Sequence, residues 1–331
     1  MTNLDPASTY YVRAYAVNAA GTGYGTAISF ITMGKAPNAS TLAAANITGT
    51  SATLQGAINA NYLSTTVTFD YGPSTNYGQT TEATPGPVSG NSNTEVTAEI
   101  TGLAPGTVYH YRLMAINSLG TTNGEDMSFT TLLTDIEGNV YKVVTIGTQV
   151  CMTENLKTTK FNDGTDIPNV PNYRDWALAT TTPAYCWREN NIENKNIFGA
   201  MYNLYAASVS KLCPAGWHVP SDSEFKILEM FLGMTQSQAD TALSNFRGTD
   251  QGTKLKSTTG WSDSGNGNNL SGFTGLPGGY RSSGFEELNQ MGFWWVSESR
   301  LFRALRYDQT GVFRNRGSAY FGMSVRCIKD N

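Results

Sequence analysis

A segment rich in arginine and aromatic residues near the C-terminus is the part of this chain best suited to recognition chemistry. Between residues 300 and 326 it carries six arginines against one acid, Asp308, although the whole chain has a net charge of -4. Arginine and tyrosine are enriched at binding hot spots because both combine a large contact area with hydrogen bonding. The segment therefore predicts a ligand-binding surface. We predict that its ligand-facing residues are Arg300, Phe302, Arg303, Arg306, Tyr307, Arg314, Asn315, Arg316 and Tyr320.

Some side chains of the same segment fit a structural role instead. Phe313 and Phe321 could be buried in alternating strands, and Arg326 lies in a motif, VRC, that suits the scaffold. The tryptophan pair Trp294 and Trp295 is also expected to belong to the core.

Catalytic residues are scarce in the sequence. Of the two histidines, His110 lies in an alternating strand pattern and His218 directly precedes a capped helix, so both are expected to be structural. We therefore predict that the protein is not an enzyme. The alternative class, an enzyme acting on surface polymers, needs clustered carboxylates, and the adjacent Glu286 and Glu287 would point to opposite faces of a strand.

Oxygen ligands for a metal occur in two short stretches. They are Asp163, Asp166 and Asn169 in the first, and Asp263, Asn266 and Asn268 in the second. Calcium prefers such ligands, but Asp, Asn and Gly are also the residues that form turns. We therefore expect no cofactor. Calcium is the metal that these two oxygen-rich stretches would allow.

The four cysteines all lie beyond residue 150, and they allow three different pairings. The sequence has no CxxC motif and only two histidines, so a zinc site is not predicted. Disulfides are favoured over the alternative, four free thiols in a cytosolic protein.

Composition narrows the class of protein. The chain of 331 residues has 34 Gly and 17 Tyr but only 15% charged residues, which favours β-rich structure and is common in extracellular modules. No apolar run reaches about eighteen residues, so no membrane span is expected. The N-terminal stretch MTNLDPASTYYV resembles no signal peptide, and the chain is expected to begin inside a domain. The acidic balance argues against a nucleic-acid partner.

An internal repeat sets the organisation of the first part of the chain. Residues 4–32 match residues 103–131 at a constant offset of 99 positions, the length of one β-sandwich domain. Strand-like alternation is predicted at 52–58, 66–71, 94–100, 108–117 and 127–131, with Gly, Pro and Asn turns between. The unit resembles the fibronectin type III family through the motif LAPGTVYHYRLMAIN, which implies that Tyr109 forms a tyrosine corner. Residues 1–34 would then be only the last two strands of a preceding, truncated copy.

The composition of the chain changes after residues 132–134, because all of its tryptophans and cysteines lie beyond this point. A hairpin is predicted over 135–149, a helix over 198–208, and two further helices at the capping boxes of Ser221 with Glu224 and Thr235 with Gln238, the second running towards Phe246. The motifs YNLYAA, CPAGWHVPSDSEF, SGFTGLPGGYR, FWWVSES and GMSVRC follow in order. They closely resemble those of the Fibrobacter succinogenes major paralogous domain, and this likeness covers nearly all of residues 134–331.

That resemblance implies a C-type lectin-like fold, in which the chain ends come together. It implies a disulfide between Cys213 and Cys327, leaving Cys151 to pair with Cys186. It also implies a secreted or surface-exposed protein, often from Bacteroidetes. The family is distantly similar to formylglycine-generating enzymes, but their reactive cysteine pair carries over poorly because Cys327 has a structural partner.

A second resemblance concerns the C-terminal segment itself. Variable proteins of diversity-generating retroelements often have lectin-like folds ending in a motif similar to GMSVRC, and their variable codons exclude Lys, Glu, Gln, Met and Trp. Between residues 300 and 322 only Gln309 departs from that set.

The fold class expected is a multidomain chain, with an all-β fibronectin III-like sandwich followed by an α+β lectin-like domain. Its domains are 1–34, 35–133 and 134–331. The function expected is extracellular adhesion or recognition, with a surface protein or a glycan as partner. A structural subunit of a surface assembly is a further alternative.

Overall fold

The chain divides into two units, Met1–Leu132 and Leu133–Asn331. The computed structural model describes residues 1–179, 181–241, 243–298 and 300–330. The division between the units falls inside the linker that the sequence predicts at 132–134.

The first unit is built from β-strands. They are β1 (Thr9–Val12), β2 (Tyr15–Asn18), β3 (Gly21–Tyr24), β4 (Ile28–Ile31), β5 (Asn38–Ala45), β6 (Ser51–Asn59), β7 (Thr66–Gly72), β8 (Gln79–Glu82), β9 (Thr94–Thr101), β10 (Val108–Asn117), β11 (Gly120–Asn123) and β12 (Met127–Thr130).

Strands β5 to β12 form an antiparallel sandwich. One sheet has the order β5-β6-β9, and the other has the order β11-β10-β7-β8, with β12 also paired to β10. Alternate residues of each strand enter the core, as shown by Leu54 on β6 and by Tyr111 and Leu113 on β10, all of which are fully buried. The strand positions predicted from alternation are confirmed to within two residues, because a period of two places every second side chain on one face.

The tyrosine corner is present. The hydroxyl oxygen of Tyr109 accepts a hydrogen bond from the backbone N–H of Ala104 at 3.1 Å. Residues 1–34 repeat this pattern: Tyr10 accepts from the N–H of Asp5 at 2.8 Å. Strands β1 and β2 align with the two halves of β10, and β3 and β4 align with β11 and β12, at the offset of 99 residues.

The second unit mixes short strands and helices. Its strands are β13 (Leu133–Thr134), β14 (Val140–Tyr141), β15 (Val143–Ile146), β16 (Gln149–Met152), β17 (Tyr185–Trp187), β18 (Ala200–Tyr202), β19 (Trp217–His218), β20 (Asn245–Arg247), β21 (Tyr280–Arg281), β22 (Phe285–Glu286), β23 (Met291–Trp295), β24 (Leu301–Arg306), β25 (Val312–Arg316) and β26 (Ile328–Lys329). Its α-helices are α1 (Tyr173–Leu178), α2 (Lys195–Phe198), α3 (Leu204–Ala207), α4 (Asp222–Phe231), α5 (Gln236–Ala239) and α6 (Gln251–Leu255), and 3-10 turns occur at Arg188–Asn190, Ile192–Asn194 and Ser262–Ser264.

Both predicted capping boxes are confirmed. Ser221 and Glu224 start α4, and Thr235 and Gln238 start α5, each with reciprocal side-chain and backbone hydrogen bonds. Helix α4 ends before Gly233, which has φ +108°, a conformation that favours glycine. Helix α5 is shorter than predicted and Phe246 lies in strand β20.

The predicted helix over 198–208 is wrong in its middle. Residues Ala200–Tyr202 form β18 and pair antiparallel with β17. Gly199 precedes them with φ +73°, which ends α2, and all three strand residues are buried. Pairing with a distant strand overrides the local helix preference here.

The start and the end of the second unit meet in one sheet. Strand β26 pairs with β16 on one side and β19 on the other, in the order β15-β16-β26-β19. A disulfide joins Cys213 to Cys327, as the resemblance implies.

The expected disulfide between Cys151 and Cys186 does not form. Both cysteines are buried free thiols. Cys151 packs with Phe225 and Leu228 in one core cluster, and Cys186 packs with Trp176 in another. Separate burial keeps the two sulfurs apart and raises the thiol pKa to about 12 for Cys151 and about 11 for Cys186.

Candidate ligand-binding cleft

The arginine-rich segment supplies the centre of a four-stranded antiparallel sheet with the order β20-β25-β24-β23. Its register places paired residues on the same face. Ala304 lies opposite Phe293 and Phe313, and Phe313 lies opposite Phe246. Phe302 lies two residues before Ala304 and therefore on the same face, so this face carries rings from all four strands.

An open cleft of about 360 Å³ lies over this face. Six of its lining residues are aromatic: Phe246, Tyr280, Phe293, Phe302, Phe313 and Phe321. Met291 and Met323 complete the apolar lining. A concave, largely apolar surface with a few polar groups is the usual form of a ligand site.

The rings form a continuous chain rather than isolated contacts. In order they are Phe246, Phe313, Phe302, Phe293, Tyr280, Phe321 and Tyr320, with neighbouring ring centroids between 4.9 and 6.1 Å apart. Tilted and edge-on pairs of this kind are favourable and hold each ring in place. The cleft is therefore a preformed aromatic surface.

The polar lining of the cleft consists of Glu287, Arg306, Asn315 and Arg316. The Arg306 guanidinium is held by both carboxylate oxygens of Asp308, each at 2.7 Å. The amide oxygen of Asn315 accepts from Ser244 Oγ at 3.1 Å and from the Arg316 N–H at 2.8 Å. Within the described residues the Arg316 guanidinium has no such partner, and the residue is exposed.

Arg303 and Arg314 do not belong to the ligand-facing surface, which corrects the prediction. Arg303 on β24 and Arg314 on β25 are opposite each other in the strand register. Both side chains lie on the face of the sheet that contacts helix α4. Arg303 is 2% exposed and donates to the Glu229 carboxylate at 2.7 Å. Arg314 donates to Asp222 at 2.8 Å. Although burial opposes ionisation of Asp222, the hydrogen bond from Arg314 and the charge of Arg303 lower its pKa.

Tyr307 also lies away from the cleft, which is a second correction. It packs against the cluster that contains Leu301 and Leu305. Arg300 is exposed in the turn before β24 but does not line the cleft, and Tyr320 is half-buried at the end of the ring chain. Of the nine predicted residues, the structure brings together Phe302, Arg306, Asn315 and Arg316 as lining of the cleft.

Lys256 stabilises the turn between β24 and β25 through hydrogen bonds to its backbone. This buried ammonium group donates to the carbonyl oxygens of Arg306, Tyr307 and Gln309 at 3.1 to 3.2 Å. Burial lowers its pKa. The contacts tie the strand ends to helix α6 and so position Arg306.

Arg326 is structural, as expected. It is 1% exposed, and it donates to Asn155 Oδ1 at 2.8 Å, to the Thr274 carbonyl at 2.8 Å and to the Phe273 carbonyl. Burial lowers its pKa to about 9. Trp294 and Phe273 cover the guanidinium.

Several cleft residues were missed by sequence reasoning. Met291, Phe293 and Trp295 lie two residues apart along β23 and therefore on one face of the strand. The period of two could thus have predicted that Met291 and Phe293 face the same side. Phe246, Tyr280 and Glu287 come from distant parts of the chain, and no local signal marks them.

The oxygen-rich stretches considered for calcium serve other contacts. Asp163 accepts from the Thr165 N–H and pairs with Lys211, and Asn266 accepts from the Trp261 N–H. Across residues 1–179, 181–241, 243–298 and 300–330, no three His, Cys, Asp or Glu side chains are grouped so as to hold a metal ion. Both histidine rings lie within hydrogen-bonding distance of carboxylates, His110 of Asp126 and His218 of Asp330 and Glu224.

No helix within the described part of the chain is both long enough and apolar enough to span a membrane.

The fold and the cleft define a class: a β-rich chain with a sandwich unit followed by a disulfide-linked mixed unit that bears an aromatic surface. The chain belongs to the Fibrobacter succinogenes major domain family, whose model matches residues 144–329. This confirms the resemblance seen in the sequence.

Solved structures give partial similarities. A shorter and a longer form of the sensor domain of the anti-sigma factor RsgI4 from Pseudobacteroides cellulosolvens are 19% and 20% identical to this chain. The shorter form covers 29% of this chain and 95% of its own length with a TM-score of 0.24; the longer covers 31% and 96% with a TM-score of 0.25. Domains FN1–FN3 of chicken CNTN1 are 15% identical over 39% of this chain and 44% of that one, with a TM-score of 0.19. Comparison with curated proteins gives no significant match.

Proposed function

We propose that this protein is an extracellular recognition or adhesion protein that binds a ligand in the aromatic cleft of its second unit. The observation that carries the proposal is the open cleft of about 360 Å³, whose floor is formed by the arginine-rich segment. In this role the sandwich unit is a spacer, and the protein has no catalytic activity and needs no cofactor. Its partner is a surface protein or a glycan, and not a nucleic acid.

The disulfide supports an extracellular or surface location. Disulfides persist in oxidising compartments, and the bond between Cys213 and Cys327 is fully buried. The last strand of the second unit, β26, pairs with β16 from its N-terminal part; such a meeting of the chain ends is expected of a C-type lectin-like fold, and we assign the unit to that class as part of the proposal.

Diversification of the cleft is a second part of the proposal. Between residues 300 and 322 the cleft-lining residues are Phe302, Arg306, Phe313, Asn315, Arg316 and Phe321. All six are residues that the variable codons of a diversity-generating retroelement can encode. A template repeat and a reverse-transcriptase gene beside this gene are expected, and a genome without either contradicts this part.

The enzyme alternative has weaker support. Glycoside hydrolysis uses two carboxyl groups across the scissile bond. Among the described residues, Glu287 is the one carboxylate that lines the cleft, whereas Glu286 accepts hydrogen bonds from Ser282 and Tyr280. Those hydrogen bonds lower the pKa of Glu286, which does not suit a general acid.

Filling the cleft tests the proposal. The full chain is screened against arrays of glycans and bacterial surface proteins, and the hits are measured again with Asn315→Trp, which places a large ring in the cleft. We expect the variant to lose binding at least about tenfold. Ser237→Trp, at an exposed position on α5, is the matched control and is expected to bind normally.

Other results of the screen would overturn the proposal. Hits that bind Asn315→Trp as tightly as the native protein would place the site elsewhere. Release of reducing ends from a bound glycan would favour the enzyme class, and binding only to copies of the same chain would favour a structural subunit.

A further inference from the structure

We propose that the ligand of the cleft is a protein segment that inserts a large apolar side chain over the ring chain and places an adjacent carboxylate on Arg316. This inference rests on the proposed function and narrows it to one class of partner.

Apolar side chains dominate the lining of the cleft. Six rings and two methionines contact the space, whereas polar groups are few. Two of these are partly occupied: Asp308 holds the Arg306 Nε and Nη2 groups, and the Asn315 amide oxygen already accepts two hydrogen bonds.

This lining offers few hydrogen-bond partners for the hydroxyl groups of a sugar. Each of its hydroxyl groups needs a partner once it leaves water, and an unpaired buried hydroxyl is costly. A Phe, Tyr, Trp or Leu side chain brings no such requirement and gains from covering the rings.

The cleft also carries a positive charge that a ligand could neutralise. Arg316, at the last position of β25, lines the cleft and is exposed, and within the described residues its guanidinium has no ion-pair partner, unlike that of Arg306. A guanidinium offers a rigid fork of donors that fits a carboxylate with two hydrogen bonds. An acidic group next to the inserted side chain would complete this pair.

The arrangement also sets a direction. Arg316 lies beside the Leu301 end of β24, and Met291 and Arg306 pair at the other end. The four residue steps from Phe302 to Arg306 along β24 span about 13 Å. The carboxylate of the ligand is therefore expected at the Arg316 end, with the apolar side chain over Phe302 and Phe313.

Methionine methyl groups allow a direct test with the full chain. Among its ten methionines, Met291 and Met323 line the cleft, and the others serve as internal controls. Protein labelled with carbon-13 at the methionine methyl groups is titrated, in separate experiments, with acetyl-Phe-Asp-amide, acetyl-Phe-Lys-amide and methyl cellobioside. Met291→Leu assigns one of the two signals.

We expect acetyl-Phe-Asp-amide to shift the Met291 and Met323 signals selectively and to bind more tightly than acetyl-Phe-Lys-amide. Arg316→Ser should weaken this binding about tenfold. Arg174→Ser removes an exposed arginine on α1, outside the cleft, and should leave it unchanged.

Three results would overturn the inference. If the cellobioside shifts these methyl signals and the peptides do not, the cleft binds glycans, so the proposed function stands and the partner class is wrong. Equal binding of acetyl-Phe-Asp-amide to the native protein and Arg316→Ser would remove the carboxylate contact. No shift with either peptide would reject the protein-segment class, while the array screen decides the proposed function independently.

Discussion

His218 is a single residue that connects the C-terminus to helix α4. Its Nδ1 atom lies 2.6 Å from Asp330 Oδ1, and its Nε2 atom lies 3.0 Å from Glu224 Oε1. Glu224 also closes the capping box of α4. Burial works against the charged imidazole, but the hydrogen bonds to Asp330 and Glu224 outweigh it and raise the pKa of His218. The sequence assigned this residue a structural role, and these contacts define it.

A pH-dependent loss of stability is expected from His218. Because its pKa is higher in the folded than in the unfolded state, its contribution is complete below about pH 6.5 and disappears as the pH rises through the folded pKa. Urea unfolding of the native protein and of His218→Gln should therefore differ more at about pH 5.5 than at about pH 9. The difference at acidic pH should be about 1 kcal/mol or less, since the pair is partly solvated. A difference that stays constant with pH would contradict the assignment.

At the scale of elements, helix α4 is joined to the cleft sheet by buried charges. Glu229 is fully buried and accepts from Arg247 on β20 at 2.9 Å and from Arg303 on β24 at 2.7 Å. Asp222 extends the network to Arg303 and Arg314. The face of the sheet opposite the cleft is thereby fixed to α4, which keeps the ring-bearing face in register.

Removal of the central charge should destabilise the second unit strongly. Glu229→Gln leaves Arg247 buried without a carboxylate partner and leaves Arg303 with Asp222 alone, and such a broken buried pair costs about 3 to 5 kcal/mol. Urea unfolding measures the loss. Asp166→Asn, which breaks the exposed pair with Lys160, is the control and should cost less than about 1 kcal/mol. An equal cost for both variants would mean that the buried network does not hold the sheet.

At the scale of the whole molecule, the disulfide closes a large part of the second unit. Cys213 and Cys327 are separated by 114 residues. In the chain-entropy model, a loop of this length contributes about 4 to 5 kcal/mol. The double variant Cys213→Ala and Cys327→Ala should lose stability of that order in urea unfolding.

Thiol counting provides the control for the pairing. In denatured protein that has not been reduced, Cys151 and Cys186 should be alkylated and the other two cysteines should not. In native protein, burial should also protect Cys151 and Cys186. Alkylation of all four cysteines without reduction would contradict both the bridge and the extracellular location that it supports.

Much of the fold could be predicted from the sequence because its signals are local. The alternation along β6 and β10, the tyrosine corner and the two capping boxes each involve residues close in the chain, and a single sequence displays them. Motif order was enough to identify the family. The arginine-rich segment also supplies part of the lining of the candidate cleft.

Only the tertiary structure decided which residues of that segment face the cleft. Period-two alternation divides β24 and β25 into two sets, but it does not say which set packs against α4 and Glu229. The same limit applies to Cys151 and Cys186, which lie in different core clusters, and to residues 200–202, which become a strand by pairing with β17. Side chains such as Phe246, Tyr280 and Glu287 reach the cleft from distant segments. Sequence determined the local patterns, and long-range packing determined which side of each pattern became the surface.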